Sequence, residues 1–408
     1  MTEAAALCGP GAPPGAAPPD ADAAAGPGLR AARGPESVLI TGMAVTSAFG
    51  RGLEPLLAAA LEGRAAFAPV RRFEVAGRRA QVAAALPGAP QLTGELARAI
   101  DEACDTAGLG AAARASCPLF LAVHGDPELG RCAPAERAAH TGDAFAGRLA
   151  RRCGLSDGVR VYTSACVAAS SAVADAAALI ARGRAARVVV AAGYLVEPDQ
   201  FALFDAGRAL AADGRVRPFS AGRSGLLLGD GVAAVVLESA AAARRRRVPA
   251  LARLAGWGRA GDGYHVCRPR PDGSGLARAI AAALCRGGIG AAHLGYVNAH
   301  GSGTRHSDTA EAAALYGALG ERAASVPVSS TKSVHGQALE AGALVELVLA
   351  VGALRAGRLP VNAGHLGPDE SCRLNLVLNK PGRPAGDYAL SLNVAFGGAN
   401  TALLVGTP

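Results

Sequence analysis

The chain is 408 residues long, with half of its residues apolar, 18% charged and 4% aromatic. So much apolar material fills a sizeable core and excludes a wholly disordered chain, while charges interrupting the apolar runs exclude a membrane bundle. The formal net charge of +8, from 41 Lys+Arg against 33 Asp+Glu, suits an acidic partner such as nucleic acid, a membrane surface or an acidic carrier protein.

In chain order, residues 1–35 form a Pro/Gly/Ala tract predicted to stay disordered. Its acidic Glu3 and lack of an apolar stretch argue against a signal peptide, which predicts a cytoplasmic protein. Val38 to Gly42 reads as a strand meeting a glycine turn, and Leu53 to Leu61 has helical spacing. Further short apolar runs predict strands at Leu119–Val123, Val188–Ala192, Val232–Leu237, Tyr296–Asn298, Val326–Val328 and Ala402–Val405. Ala/Leu-rich segments between them predict helices at Ala168–Ala181, Ala310–Leu319 and Ala341–Leu354. The last is broken by Glu346 and followed by Arg355, so it reads as a buried helix and not a membrane span.

This alternation predicts an α/β architecture with mainly parallel strands. Val159–Tyr162, a turn and a long helix are echoed by Val326–Val328, a turn and a long helix. The echo predicts two related halves, 36–240 and 241–408. Arg244 to Arg247 reads as a solvated helix end, where cations favour the dipole, or as a dock for an acidic carrier. No aromatic residues interleave with it to stack bases, which argues against nucleic acid. The nine cysteines, odd in number and scattered, predict reduced thiols in a cytoplasm.

Four segments carry candidate chemistry. Thr163 to Ser171 places Cys166 at a strand-to-helix junction among small residues. There it is either a buried structural cysteine or a nucleophile whose pKa the helix terminus lowers. Asn298 to Thr304 carries His300 out of a strand into a Gly/Ser/Thr loop with Ser302 and Thr304. This is either a satisfied loop histidine or an acid/base group that donates to an oxyanion. His300 and His306 lack the spacing and third ligand of a metal site. Ser329 to Gln337 carries Lys332, an ammonium rare in so arginine-heavy a chain. Asn393 to Thr401 pairs Gly397 with Gly398 beside Phe396, a candidate apolar wall. Gly256 to Gly261 matches G-x-G-x-x-G, but a loop and not a helix follows, so a dinucleotide site is not expected.

Together these segments resemble the β-ketoacyl-acyl-carrier-protein synthase family, the condensing enzymes of fatty-acid and polyketide assembly, from about Val38 to Val405. Arg217-Pro218-Phe219 with Gly229-Asp230-Gly231, and Gly261 to His265, resemble further signatures in the same order. The resemblance implies a thiolase-like fold of two pseudo-duplicated α/β/α halves, layered α-β-α-β-α, and a dimer. It implies Cys166 as acyl acceptor, His300 as first active-site histidine, Lys332 as the site lysine and Phe396 as gatekeeper. Ser302 and Thr304 would hold the phosphopantetheine arm, with Gly397 and Gly398 at the substrate. No cofactor or metal is implied, since substrates ride on an acyl carrier protein.

Two positions depart from the family. Gln337 stands where the family has its second histidine, and Glu340 where it usually has glycine. A glutamine N–H still donates to an oxyanion but shuttles no proton. A related cysteine/histidine/asparagine set works in another branch of the superfamily, and His335 is a candidate substitute. Three readings follow: a decarboxylating condensing enzyme using Cys166, His300, Lys332 and Gln337; an acyltransferase to an oxygen or nitrogen nucleophile; or a chain-length subunit paired with another synthase-like chain. Cys166 argues against the third.

Overall fold

The computed structural model describes residues 36–408; the tract 1–35 lies outside the described residues. The strands are β1 (Val38–Ser47), β2 (Gly50–Arg51), β3 (Ala68–Pro69), β4 (Val82–Ala83), β5 (Leu119–Ala122), β6 (Val159–Tyr162), β7 (Arg187–Tyr194), β8 (Gly231–Ser239), β9 (Ala252–Gly261), β10 (Leu294–Asn298), β11 (Val328–Ser329), β12 (Tyr388–Val394) and β13 (Ala399–Gly406). The helices are α1 (Leu53–Glu62), α2 (Leu92–Thr106), α3 (Ala111–Arg114), α4 (Gly142–Arg152), α5 (Ala168–Ala181), α6 (Pro198–Ala206), α7 (Ala240–Arg246), α8 (Ser274–Gly287), α9 (Arg305–Leu319), α10 (Lys332–His335) and α11 (Leu339–Ala356). Every predicted strand and helix lies within one of these elements or overlaps it.

The principal strands run β11-β10-β12-β13-β9 and then β1-β8-β7-β5-β6 across one continuous ladder. Lettered a to e in chain order within each half, both sets of five read c-b-d-e-a from the far edge inward, counting from β11 and from β6. The same topology is therefore used twice. The halves meet where Val38–Ile40 of β1 pair with Ala252–Leu254 of β9.

The sheets are mixed, which corrects the expectation of mainly parallel strands. Parallel pairing is confined to β5 with β6 and β7, and β10 with β11 and β12. The β1–β8, β7–β8, β12–β13 and β9–β13 pairs are antiparallel. Helices cover both faces of each sheet, so even an antiparallel strand such as β8 is buried at every residue. Its continuous apolar run then reads like a parallel strand.

Helices α5 and α11 pack between the two sheets, α2 and α4 cover the outer face of the first half, and α8 and α9 cover that of the second. This makes five layers around three apolar clusters. The middle layer depends on α11, buried along nearly its whole length, Glu346 included.

The G-x-G-x-x-G match lies within β9. A Cβ at Gly258 would fall 1.9 Å from the Ala279 carbonyl oxygen of α8. The glycines let a helix lie close on the strand, and no phosphate loop is formed. The Arg244–Arg247 cluster closes α7, whose Ser239 side chain caps its start. Arg246 turns back to bond Glu238 and the carbonyls of Ala107 and Gly108. Among the described residues no helix is long and apolar enough to cross a membrane.

Candidate active site

Cys166 stands in a single 3-10 turn, Ala165–Val167, between β6 and α5. Ala165 adopts a left-handed φ of 48°, a conformation that costs an L-residue about 1–2 kcal/mol. The turn swings the chain sharply enough for the cysteine to enter the site ahead of the helix. Burial pushes the Cys166 thiol up to about 12, with the Glu340 charge adding to the rise and Lys332 opposing it. A pKa lowered by the helix terminus is thus not found: at the thiol, loss of water outweighs the terminal dipole.

His300 leaves the end of β10 and is 4% exposed. The Val394 backbone N–H donates to its Nδ1 at 3.3 Å, so the neutral imidazole carries its proton on Nε2. Burial holds its pKa well below the usual histidine value, and the Lys332 charge lowers it further. The loop is gripped from α9. Glu311 accepts from the backbone N–H groups of His300 and Gly301, each at 2.7 Å. Asp308 accepts from Gly303 at 3.1 Å and from Phe219 at 2.8 Å. Sequence reasoning missed both carboxylates. The available signal was a pair of acids three residues apart at the start of an otherwise Ala/Leu-rich helix.

Lys332 opens α10 and is 1% exposed. Its Nζ donates to Glu346 Oε1 of α11, and Asn393 Nδ2 donates to Glu346 Oε2 at 2.6 Å. The ammonium sits behind the cavity wall as half of a buried ion pair. From there it reaches Cys166 and His300 through its field. Ser330 Oγ donates to the Gly301 carbonyl at 2.9 Å, tying the lysine and histidine loops together.

Gln337 is held at its backbone by the adjacent segment 227–229: its N–H donates to Leu227 O at 2.8 Å, and Gly229 N–H donates to its carbonyl at 3.0 Å. Its side-chain Nε2 donates to Cys166 Sγ at 3.3 Å. His335 does not take its place. It is buried with Nε2 bonded to Thr331 Oγ1 at 3.0 Å, and it is absent from the cavity wall.

A cavity of about 640 Å³ is lined by Cys166, His300, Gln337, Ser302, Thr304 and Phe396, among others. Ser302 and Thr304 hydroxyls bond each other at 3.0 Å on its wall. Phe396 stacks on Phe204 with ring centroids 5.9 Å apart and is 52% exposed. Arg208, Arg268 and Arg305 add cations to the lining. Gly397 and Gly398 are not among its lining residues; at φ of 85° and 77° they shape the turn between β12 and β13. The paired hydroxyls of Ser170 and Thr401, 2.7 Å apart, join α5 to that hairpin. Among the described residues no group of three or more His, Cys, Asp or Glu is placed to hold a metal.

Family models for the β-ketoacyl synthase N-terminal domain and C-terminal domain match residues 121–243 and 251–365. The ketoacyl synthase alpha subunit of the tetracenomycin polyketide synthase from Streptomyces glaucescens is 38% identical over 266 residues, 64% of this chain and 62% of that protein. Nodulation protein E of Rhizobium meliloti is 37% identical over 262 residues, 64% of each. A putative polyketide β-ketoacyl synthase of Streptomyces cyaneus is 34% identical over 290 residues, 69% of this chain and 67% of that one. The matched stretch thus spans a little under two thirds of the first two relatives. Among solved structures, a β-ketoacyl synthase from Burkholderia phymatum has a TM-score of 0.84 at 26% identity, covering 91% of this chain and all of that one. The ishigamide ketosynthase/chain length factor has a TM-score of 0.82 at 26% identity, covering 92% and 100%. With both domain models matched in order, and the cysteine and histidine loops meeting in one cavity, the chain belongs to the β-ketoacyl synthase family.

Proposed function

We propose that the protein takes an acyl group onto Cys166 from a carrier-protein thioester and condenses it with a carrier-bound malonyl-type extender, releasing carbon dioxide. The observation that carries this reading is the meeting of Cys166 Sγ, the Gln337 amide 3.3 Å away and His300 in one substrate-sized cavity. In the first step the sulfur attacks the thioester carbonyl. The carrier thiolate leaves and takes up the proton that Cys166 gives up, while His300 Nε2–H steadies the carbonyl oxygen. In the second, His300 Nε2–H and the Gln337 amide donate to the extender's thioester oxygen, where negative charge develops as the carboxylate departs. Burial, with the charge of Lys332 clamped by Glu346 added to it, keeps the imidazole neutral.

In this reading Ser302 and Thr304 hold a phosphopantetheine arm, and the arginines of the lining suit its phosphate. Phe396, stacked on Phe204, serves as the gate. The partner is an acyl carrier protein, together with a second synthase-like chain, either a copy of this one or a different subunit. The solved ketosynthase/chain length factor supports a paired arrangement. We place the protein in the cytoplasm, in keeping with the seven free cysteines among the described residues.

Gln337 gives one competing reading its footing. A neutral amide supports acyl transfer to an oxygen or nitrogen nucleophile without decarboxylation. Release of carbon dioxide from malonyl-carrier by the wild type, increased in Gln337→His, is the expected result. A wild type that acylates Cys166 but releases none favours the transferase.

A further inference from the structure

We propose that Glu340 and His124 form a proton inlet to Cys166, separate from the substrate cavity; the inference rests on the condensation reading above. Condensation forms the bond between the acyl carbon and the extender carbon. It breaks the acyl–sulfur bond and the carbon–carboxylate bond. The departing carboxylate carries no proton, so one must be taken up to return the Cys166 thiolate to the thiol. During this step the extender's arm fills the cavity. Gln337, the residue bonded to the sulfur, cannot deliver a proton.

Glu340 lies three residues beyond Gln337, in the first turn of α11, and is 3% exposed. Its Oε1 is 3.1 Å from Nδ1 of His124, which follows β5 and whose side chain is 68% exposed. A surface imidazole, the side chain suited to exchanging protons near neutral pH, is thus joined to a carboxylate inside the protein. Neither residue lines the cavity. Glu340 Oε2 is buried without a hydrogen-bond partner, as are the Tyr194 hydroxyl and Gln337 Oε1, the last facing the start of α11 at Gly342. Buried polar atoms are rarely left unpaired without a role. Glu340 also acts on the Cys166 thiol more strongly than any other charge, ahead of Lys332 and Glu346. The groups that Glu340 touches or acts on by charge are His124 beyond β5, Cys166 before α5 and Tyr194 at the end of β7.

The test separates the two half-reactions. Acyl-Cys166 enzyme, confirmed by intact mass, is mixed with malonyl-carrier protein, and the β-ketoacyl product is followed over a single turnover. Glu340→Gln and His124→Gln are expected to accept the acyl group as the wild type does. Condensation slows by about a hundredfold in Glu340→Gln, at the low end of what a lost proton-transfer group costs. Added imidazole restores His124→Gln but not Glu340→Gln, an effect that a merely structural role would not produce. If Glu340→Gln folds poorly, the surface variant His124→Gln carries the test alone. Equal condensation rates in variant and wild type, a slow His124→Gln that imidazole leaves unchanged, or loss of acylation in both variants overturns the inlet. A wild-type acyl-enzyme that yields no β-ketoacyl product overturns the condensation reading, and the inlet with it.

Discussion

Buried charge sets the behaviour of the site's residues one by one. With the Cys166 thiol pushed up to about 12, the resting sulfur is neutral at physiological pH and reacts through proton transfer, not as a standing thiolate. Iodoacetamide at pH 7.5 is therefore expected to label the exposed Cys267 ahead of Cys166. Cys166 labelling should then climb roughly tenfold per pH unit above pH 8, because the thiolate fraction does so until the pKa is reached. Peptide mapping across pH reads this, and Cys166 labelling that is already fast and flat at pH 7 would contradict it. Lys332 and Glu346 are both buried, so Lys332→Met leaves a carboxylate unpaired in the interior. The expected loss is about 3–5 kcal/mol in denaturant unfolding, largely recovered in the double variant Lys332→Met/Glu346→Leu. Cys166, His300 and Lys332 were all legible as residues in the sequence. Their electrostatics were not, because burial and the fields of Glu340 and Glu346 come from elements distant in the chain. Gln337 was legible as a departure from the family, but its hydrogen bond to Cys166 depends on where Leu227 and Gly229 fix its backbone.

At the scale of elements, periodicity located α1, α5, α9, α11 and most of the long strands because their apolar runs are bounded by Gly, Ser, Asp and Pro, while α2, α4 and α8 went unnamed. Strand direction was hidden for a specific reason: β8, antiparallel to both β1 and β7, is buried on both faces and shows no polar alternation. The glycines of β9 mislead as a motif and make sense as packing. A Cβ at Gly258 has no room against α8, and backbone atoms cannot give way as a flexible side chain does. Gly258→Ala is thus expected to cost about 1–3 kcal/mol, the usual range for overpacking. Thermal unfolding would report it, and an unchanged midpoint would show that α8 shifts freely. The loop from Gly397 to Gly398 illustrates the same limit. Glycines beside an aromatic wall suggest close approach by a ligand; here they bend a hairpin whose Val394, Ala395 and Phe396 line the cavity.

Across the whole molecule, the duplicated five-strand topology explains why the site is where it is. The turn after β6 delivers Cys166 from the first half. The ends of β10, β11 and β12 deliver His300, Lys332 and the Phe396 loop from the second. Neither half holds a complete set, and the middle layer of α5 and α11 fixes their spacing. The family's motifs made this convergence legible, while composition and spacing alone left each segment with a structural reading beside a chemical one. The proposed chemistry stands on Cys166 receiving an acyl group from a carrier. Intact-mass spectrometry of the protein after incubation with a panel of acyl-carrier thioesters tests it most directly. One added acyl mass, mapped to the Cys166 peptide and lost in Cys166→Ala, is expected; an unmodified wild type, or an adduct that persists in Cys166→Ala, would overturn the role of Cys166.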